Sequence, residues 1–273
     1  MSSWKDPIPG WIENFNGPVG LMSLNAKGLL HIAYVNNYIS QNYVPVDTVV
    51  NTIILATWKL GLTTFTSKST SFVVNCTSPN SIPFQEKCKI LIKFSHKIPL
   101  ERKVWVNAVP VFTKSSIIYY VLTIWWHILP AIIIDSVLKW SGHQPMVLRL
   151  QRIAYVASCV LHHFAINEWK FDDTNSRYLM SLIPTDNREM FSIDLFDLDM
   201  NKYCRNIIIG AKKYFFHEDM NRLEAAKAHH RRLKLFVATF KTIIAIGMLW
   251  MIYKYMILNV LKTERTDPWL YDF

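Results

Sequence analysis

SSIIYYVLTIWWHILPAIII, Ser115 to Ile134, is an uncharged run of twenty residues closed at once by Asp135. A helix of about twenty apolar residues matches the hydrocarbon thickness of a bilayer. His127, Pro130 and the Ile-Asp exit are poor fits to a simple span, so the run either crosses a membrane, lies in its surface or fills a protein core. Which of these it does decides the kind of fold. Working outward, Gly142 and Pro145 punctuate a turn, and a second helical pattern runs from about Met146 to Trp169. Met146, Leu150, Ile153, Ala157, Val160 and Phe164 share one stripe of it, and Arg149, Arg152 and His163 share another. Shorter helices are predicted over 174–183, 187–192 and 198–216.

A charged helix, Glu218 to Lys234, leads into a second apolar stretch, Thr242 to Leu261, interrupted by Lys254 and Asn259. Lys227, Arg231, Arg232 and Lys234 precede it, which predicts a membrane helix with the bulk of the chain on the cytosolic side. Upstream of residue 114 the character is mixed. Residues 1 to about 30 are dense in turn formers (Pro7, Pro9, Gly10, Asn14, Asn16, Gly17, Pro18, Gly20) and predict surface loops. Pro45 and Asp47 mark a helix start followed by Val46, Val49, Val50, Ile53 and Ile54 at helical spacing. Ser71 to Cys76 reads as a short buried strand. The fold class predicted is α+β, helical after its first third.

Composition narrows the function. A hydrophobic fraction of 51% with 18% charged residues fits a membrane-associated globular protein. The net charge of +10 suits anionic lipid or a phosphate-bearing substrate carrier. Nucleic acid is excluded as a partner, because the aromatics sit in apolar runs and do not alternate with Lys and Arg. The four cysteines are widely spaced, as in a reduced protein with buried thiols. Met1 leads into a polar, turn-rich SSWKDPIPG, so a membrane segment is expected internally or near the C-terminus.

Motifs for chemistry are sparse. The sequence has no GxGxxG loop, no phosphate loop and no Tyr-x-x-x-Lys pair. His162-His163 and His229-His230 lack companions at metal-ligand spacing, so no metal site is predicted. His127 reads as a hydrogen-bonded buried histidine or an interfacial one.

A series of motifs carries a resemblance. Pro7-Ile-Pro-Gly-Trp-Ile-Glu-Asn-Phe-Asn-Gly-Pro-Val-Gly20 and Val44-Pro-Val-Asp-Thr-Val-Val-Asn51 are followed by Pro130-Ala-Ile-Ile-Ile-Asp135, Gly142-His-Gln-Pro145 and Phe164-Ala-Ile-Asn-Glu-Trp-Lys-Phe171. Asn175, Asp186-Asn187-Arg188, Phe191, Asp194 and Tyr203 continue it. Together these resemble the downstream half of alcohol-forming fatty acyl-CoA reductases, especially the insect type, across nearly the whole chain. The resemblance departs at Ser78–Phe84, where the family tends to have Asn-Pro followed by Trp.

The resemblance implies the end of a Rossmann-like reductase domain over 1–113 and a helical male-sterility domain over 114–217. It further implies a charged linker helix over 218–241 and a transmembrane helix over 242–261. It implies NADPH as cofactor, long-chain acyl-CoA as substrate, membrane lipid as partner, and an endoplasmic reticulum or peroxisomal membrane. The family's cofactor loop and Tyr-x-x-x-Lys pair lie upstream of the Pro-Gly-Trp segment. The chain therefore reads as the C-terminal half of a reductase, inactive alone, with no catalytic residue to assign. Trp11, Asn16, Gly17, Pro18, Val46 and Asp47 are the implied substrate-side positions. A non-catalytic, membrane-associated acyl-binding or partner protein is the alternative. In the light of the resemblance Ser115–Ile134 becomes the first helix of the substrate-side helical domain, and Thr242–Leu261 the expected span.

Overall fold

The computed structural model describes residues 2–14, 18–63, 72–78, 82–101, 103–106, 108–196 and 198–265. The chain divides into two compact units, Met1–Lys227 and Ala228–Phe273. The first is mostly helical, with one small parallel sheet among its described residues.

Pro18–Ala26 forms α1, where the density of turn formers predicts loop. Pro18 occupies the first helical position, at which a missing N–H is no loss, so it starts a helix instead of breaking one. The strand Ile32–Tyr34 (β1) follows. Val46–Thr63 (α2) begins where Pro45 and Asp47 predict. Phe84–Lys97 (α3) is lysine-rich and was not expected. Val111–Thr113 (β2) then pairs in parallel with β1, Ile32 opposite Val111 and Tyr34 opposite Thr113. Parallel neighbours need a crossover, and α2 and α3 lie within it.

The strand predicted over 71–76 does not form. Ser71 lies outside the described residues, and 72–78 has no ladder partner among them. Asn175 Nδ2 donates to the Val73 carbonyl (2.7 Å), Asn75 Nδ2 donates to the Asp172 carbonyl (2.9 Å), and the Ser176 hydroxyl donates to the Asn75 carbonyl. Asn175 and Ser176 thus satisfy the Val73 and Asn75 carbonyls, which a sheet would have paired.

The quoted apolar run is one helical rod in three parts: Ser116–Thr123 (α4), a π-helical turn over Ile124–Ile128, and Leu129–Trp140 (α5). Pro130 lacks the N–H that would close the preceding turn, and the ladder widens just before it. The widening sets a face. Stepping four residues along an α-helix drifts by roughly 40°, and a π turn reverses that drift. Tyr119, Thr123, His127 and Ala131, each four apart, are therefore all buried. His127 is a hydrogen-bonded buried histidine: its Nε2 accepts the backbone N–H of His31 at 3.0 Å.

Gly142 ends α5 at φ +76°. The His143 N–H reaches the Leu138 carbonyl (2.8 Å) and the Gly142 N–H reaches that of Lys139 (3.1 Å), the paired bonds of a left-handed helix stop. Val147–Ile166 (α6) folds back against α5. Asp135 caps it from α5: its carboxylate accepts the N–H groups of Met146 (3.1 Å), Val147 (2.9 Å) and Leu148 (2.8 Å). A helix start leaves such donors unpaired and favours a negative group. That is the physical role of the Ile-Ile-Ile-Asp exit. Thr174–Ser181 (α7) packs against α2, where Leu55, Leu179, Ile183 and Ile193 form a buried cluster. The helix predicted over 187–192 is reduced to a 3-10 turn, Thr185–Asn187, and non-helical turns. Met200–Gly210 (α8) continues into a second π turn, Ala211–Phe215.

Leu223–Arg265 forms α9. Within the second unit, residues 241–258 are all exposed. Two helical segments, Ser116–Trp140 and Met220–Leu258, are long and apolar enough to cross a membrane by length and composition, which is compatible with membrane association.

Candidate functional site

The first unit encloses a cavity of about 550 Å³ with a predominantly apolar wall. That volume lies in the range of small-molecule sites. Its wall is drawn from most of the unit: Ser2 and Ile12 from the N-terminal segment, Val19 and Met22 from α1, Ala33 and Tyr34 from β1, Leu91 and Ile92 from α3, Leu161 and Phe164 from α6, Ile207 and Ile208 from α8.

Polar groups on the wall are held neutral or turned aside. The Tyr43 hydroxyl donates to Gln41 Oε1, and burial raises its phenol well above the usual value. Lys87, next to the wall, is almost fully buried and donates to the Gln41 carbonyl at 2.6 Å. Burial pushes its ammonium down to about 8, against the pull of the neighbouring Cys204 and Cys88 thiols. Burial pushes the Cys88 thiol up to about 12 and the Cys204 thiol likewise. A thiol held that high is no nucleophile. Among the described residues the wall is an apolar enclosure, and these buried groups do not form a reacting dyad. Sequence reasoning missed α3 and with it Lys87. The available signal was Phe84, Cys88, Leu91 and Ile92 recurring at helical spacing among lysines.

The implied substrate-side positions converge on the N-terminal segment. Asp47 accepts the N–H groups of Trp4 (2.9 and 3.0 Å), Lys5 (2.7 Å) and Asp6 (3.1 Å). The Val46 N–H donates to the Ser2 carbonyl at 3.2 Å. Trp11 is half-buried, and its N–H donates to Ser3 Oγ at 3.1 Å. Trp11, Val46 and Asp47 are not on the cavity wall; their neighbours Ser2, Ile12 and Val19 are. Asn16 and Gly17 lie outside the described residues, and Pro18 opens α1. From the other side, the Tyr203 hydroxyl donates to the Ser2 carbonyl at 3.2 Å, and its ring meets Trp4 edge-on at 5.9 Å.

This geometry predicts that Asp47→Ala frees three backbone donors and destabilises the unit by about 2 kcal/mol, the range for hydrogen bonds to a charged acceptor. Urea unfolding of the full chain in detergent micelles checks it, with Asp47→Asn retaining part of the loss.

A nicotinamide cofactor needs backbone N–H groups at a strand-to-helix turn to cradle its pyrophosphate. Between β1 and α2 no glycine occurs, and no glycine-rich turn joins a strand to a helix among the described residues. The described residues do not fit that group. Among the described residues no three His, Cys, Asp or Glu side chains cluster as a metal site would require.

Two family models, both described as "Male sterility protein", match residues 2–53 and 126–218. The former is of an NAD-binding type. Fatty acyl-CoA reductase 1 of Xenopus laevis is 31% identical over 258 residues, covering 92% of this chain and 48% of that protein. The human fatty acyl-CoA reductase 1 is 32% identical over the same shares. Fatty acyl-CoA reductase 2 of Bos taurus is 30% identical over 244 residues, 88% of this chain and 46% of that protein. The chain spans about half the length of the curated relatives it matches.

Proposed function

The chain belongs to the fatty acyl-CoA reductase family, and from that membership we propose that it forms the acyl-holding part of a reductase that turns long-chain acyl-CoA into fatty alcohol. The observation that carries the reading is the apolar cavity of about 550 Å³. It is walled jointly by the N-terminal segment, α1, α3, α6 and α8, and its lining is predominantly apolar. A hydrocarbon chain gains about 0.8 kcal/mol for each methylene moved from water into such a site.

The hydride in this family reading comes from NADPH. The described residues do not supply its phosphate cradle, so no hydride step is derived from them. This chain by itself is expected to bind acyl-CoA without consuming NADPH. The helix over 242–261 is proposed to span an endoplasmic reticulum or peroxisomal membrane, with residues 1–227 toward the cytosol. The run of Lys227, Arg231, Arg232 and Lys234 before it supports that direction. Protease protection of an epitope placed at either end checks the orientation.

Radiolabelled palmitoyl-CoA binding to the full chain in nanodiscs tests the acyl reading. Saturable binding is expected, and Leu91→Trp fills part of the cavity with bulk equal to about two methylenes. At about 0.8 kcal/mol each, binding of the long chain weakens roughly tenfold, while an acyl-CoA about two carbons shorter is affected less. Binding that is non-saturable, or equally weakened for every chain length, would sink the proposal.

A further inference from the structure

The face presented outward by α4, α5 and α6 has the polarity of a soluble helix reversed. Inward, α4 and the π turn bury Tyr119, Thr123 and His127, and α6 buries Gln151 and Ser158, whose polar atoms need partners there. The Gln151 amide donates to the Leu29 carbonyl at 2.7 Å, and the Ser158 hydroxyl donates to that of Ala154 at 2.8 Å. Outward stand Trp125, Trp126, Ile133 and Trp140 on the α4–α5 rod, the last 91% exposed. On α6 the apolar stripe read from the sequence, Ile153, Val160 and Phe164, also faces out, Val160 70% exposed. Water on such a face would be costly, and a contiguous exposed apolar patch marks an interaction surface.

Charge and aromatic placement select the occupant. From residue 114 to 166 the charged residues are Lys114, Lys139, Arg149 and Arg152 against Asp135 alone, a balance of four minus one. The Asp135 carboxylate is already engaged by the start of α6. Exposed tryptophans beside arginine and lysine are the composition of a bilayer interface, where indoles sit at the headgroup level and cations meet anionic lipid. We infer that the α4–α5–α6 face lies in the surface of an anionic membrane as a second attachment, separate from the C-terminal apolar helix. Phe164 is 62% exposed and also lines the cavity. On the acyl reading, this shared residue at the end of α6 marks the route by which an acyl chain would pass from the bilayer to the cavity. That route rests on the acyl reading; the docking does not.

Cys159, exposed on α6 between Val156 and Val160, is a native reporter for this face. The full chain carrying Cys76→Ser is labelled at Cys159 with a nitrobenzoxadiazole dye and placed in phosphatidylcholine–phosphatidylserine vesicles. The label is expected to be quenched by shallow doxyl lipid and shielded several-fold from aqueous iodide, relative to a label at Glu189→Cys in a Cys159→Ser background. Arg149→Glu with Arg152→Glu should reduce the lipid quenching in anionic vesicles and leave it unchanged in pure phosphatidylcholine. Iodide quenching equal to the Glu189 position would overturn the docking, because tethering through the C-terminal helix alone leaves α6 in water. A label shielded from both quenchers, with cross-links between copies, would overturn it in favour of a protein interface.

Discussion

Gly210→Ala is expected to cost the first unit at least about 3 kcal/mol, beyond the usual range for overpacking. A Cβ at Gly210 would stand 1.6 Å from the Gly10 carbonyl oxygen and 2.5 Å from its carbon. Both are backbone atoms, so no side chain can swing aside. Gly10, at φ +82°, makes the reciprocal approach: its own Cβ would lie 2.1 Å from the Asn206 carbonyl oxygen. Two glycines thus let the N-terminal Pro-Gly-Trp loop run against the end of α8. Propensity opposes the loss, since alanine in a helix interior is better than glycine by about 1 kcal/mol. The steric term wins, because relief at 1.6 Å requires the loop to lift off α8. That movement would pull the Tyr203–Ser2 hydrogen bond and the Trp4–Tyr203 contact apart. Gly10→Ala should cost more, by the roughly 1–2 kcal/mol of a left-handed conformation at a residue with a Cβ. Gly61→Ala is the control: it is helical, with nothing within 4 Å of the added atom. It should stabilise by about 0.5–1 kcal/mol. Urea midpoints of the three variants decide the matter, and a Gly210→Ala protein within about 0.5 kcal/mol of the parent would refute the close approach.

What was legible in the sequence follows from what is local. The rod from Ser116 to Trp140, the Gly142–Pro145 turn, α2, α8 and the C-terminal helix depend on periodicity and helix punctuation, which lie in consecutive residues. The three-residue strands β1 and β2 are too short to show a period, and their pairing joins positions about eighty residues apart. Ser71–Cys76 misled because branched residues fit a strand, while the deciding partners, Asn175 and Ser176, lie a hundred positions on. On α6 the periodicity revealed an apolar stripe but could not say which medium it faces.

The site divides in the same way. The family resemblance picked out Trp11, Val46 and Asp47, and all three act on the segment beside the cavity. Contact with the cavity is a matter of which neighbour points inward, and that is fixed only by the packing of α1, α3 and α8. Several motif residues turn out to be fasteners. Asp135 caps α6, Asn175 holds the 72–78 segment, and Tyr203 holds Ser2. A motif of this kind preserves the walls of a container, which is consistent with a cavity that has no reacting dyad of its own.

The strongest fastener is ionic, and Glu218→Gln should remove about 3–5 kcal/mol, the range for breaking one partner from a buried pair. Glu218 receives Lys27 Nζ at 2.8 Å, Lys212 Nζ at 3.0 Å and the Glu101 backbone N–H at 2.7 Å. The Lys212 side chain is 0% exposed and that of Glu218 is 9% exposed. Without the carboxylate, the buried Lys212 ammonium keeps, among the described residues, Glu101 at 3.9 Å and the Pro99 carbonyl at 3.4 Å. That buried and poorly compensated charge, more than the lost attraction, sets the size of the effect. Lys212→Met in the Glu218→Gln background removes it and should therefore recover part of the stability. Acid gives an independent readout. Burial pushes the Glu218 carboxyl up, but Lys27, the Glu101 N–H and Lys212 together hold it below its usual value. A carboxyl lowered in the folded state contributes its stability in full above the unfolded value of about 4.3 and loses it as pH falls through the folded one. Parent stability should fall off below about pH 4.3. Glu218→Gln should lack that component, so the gap between the two proteins narrows in acid. A gap that stays constant down to about pH 3 would show that Glu218 is not ionised in this cluster.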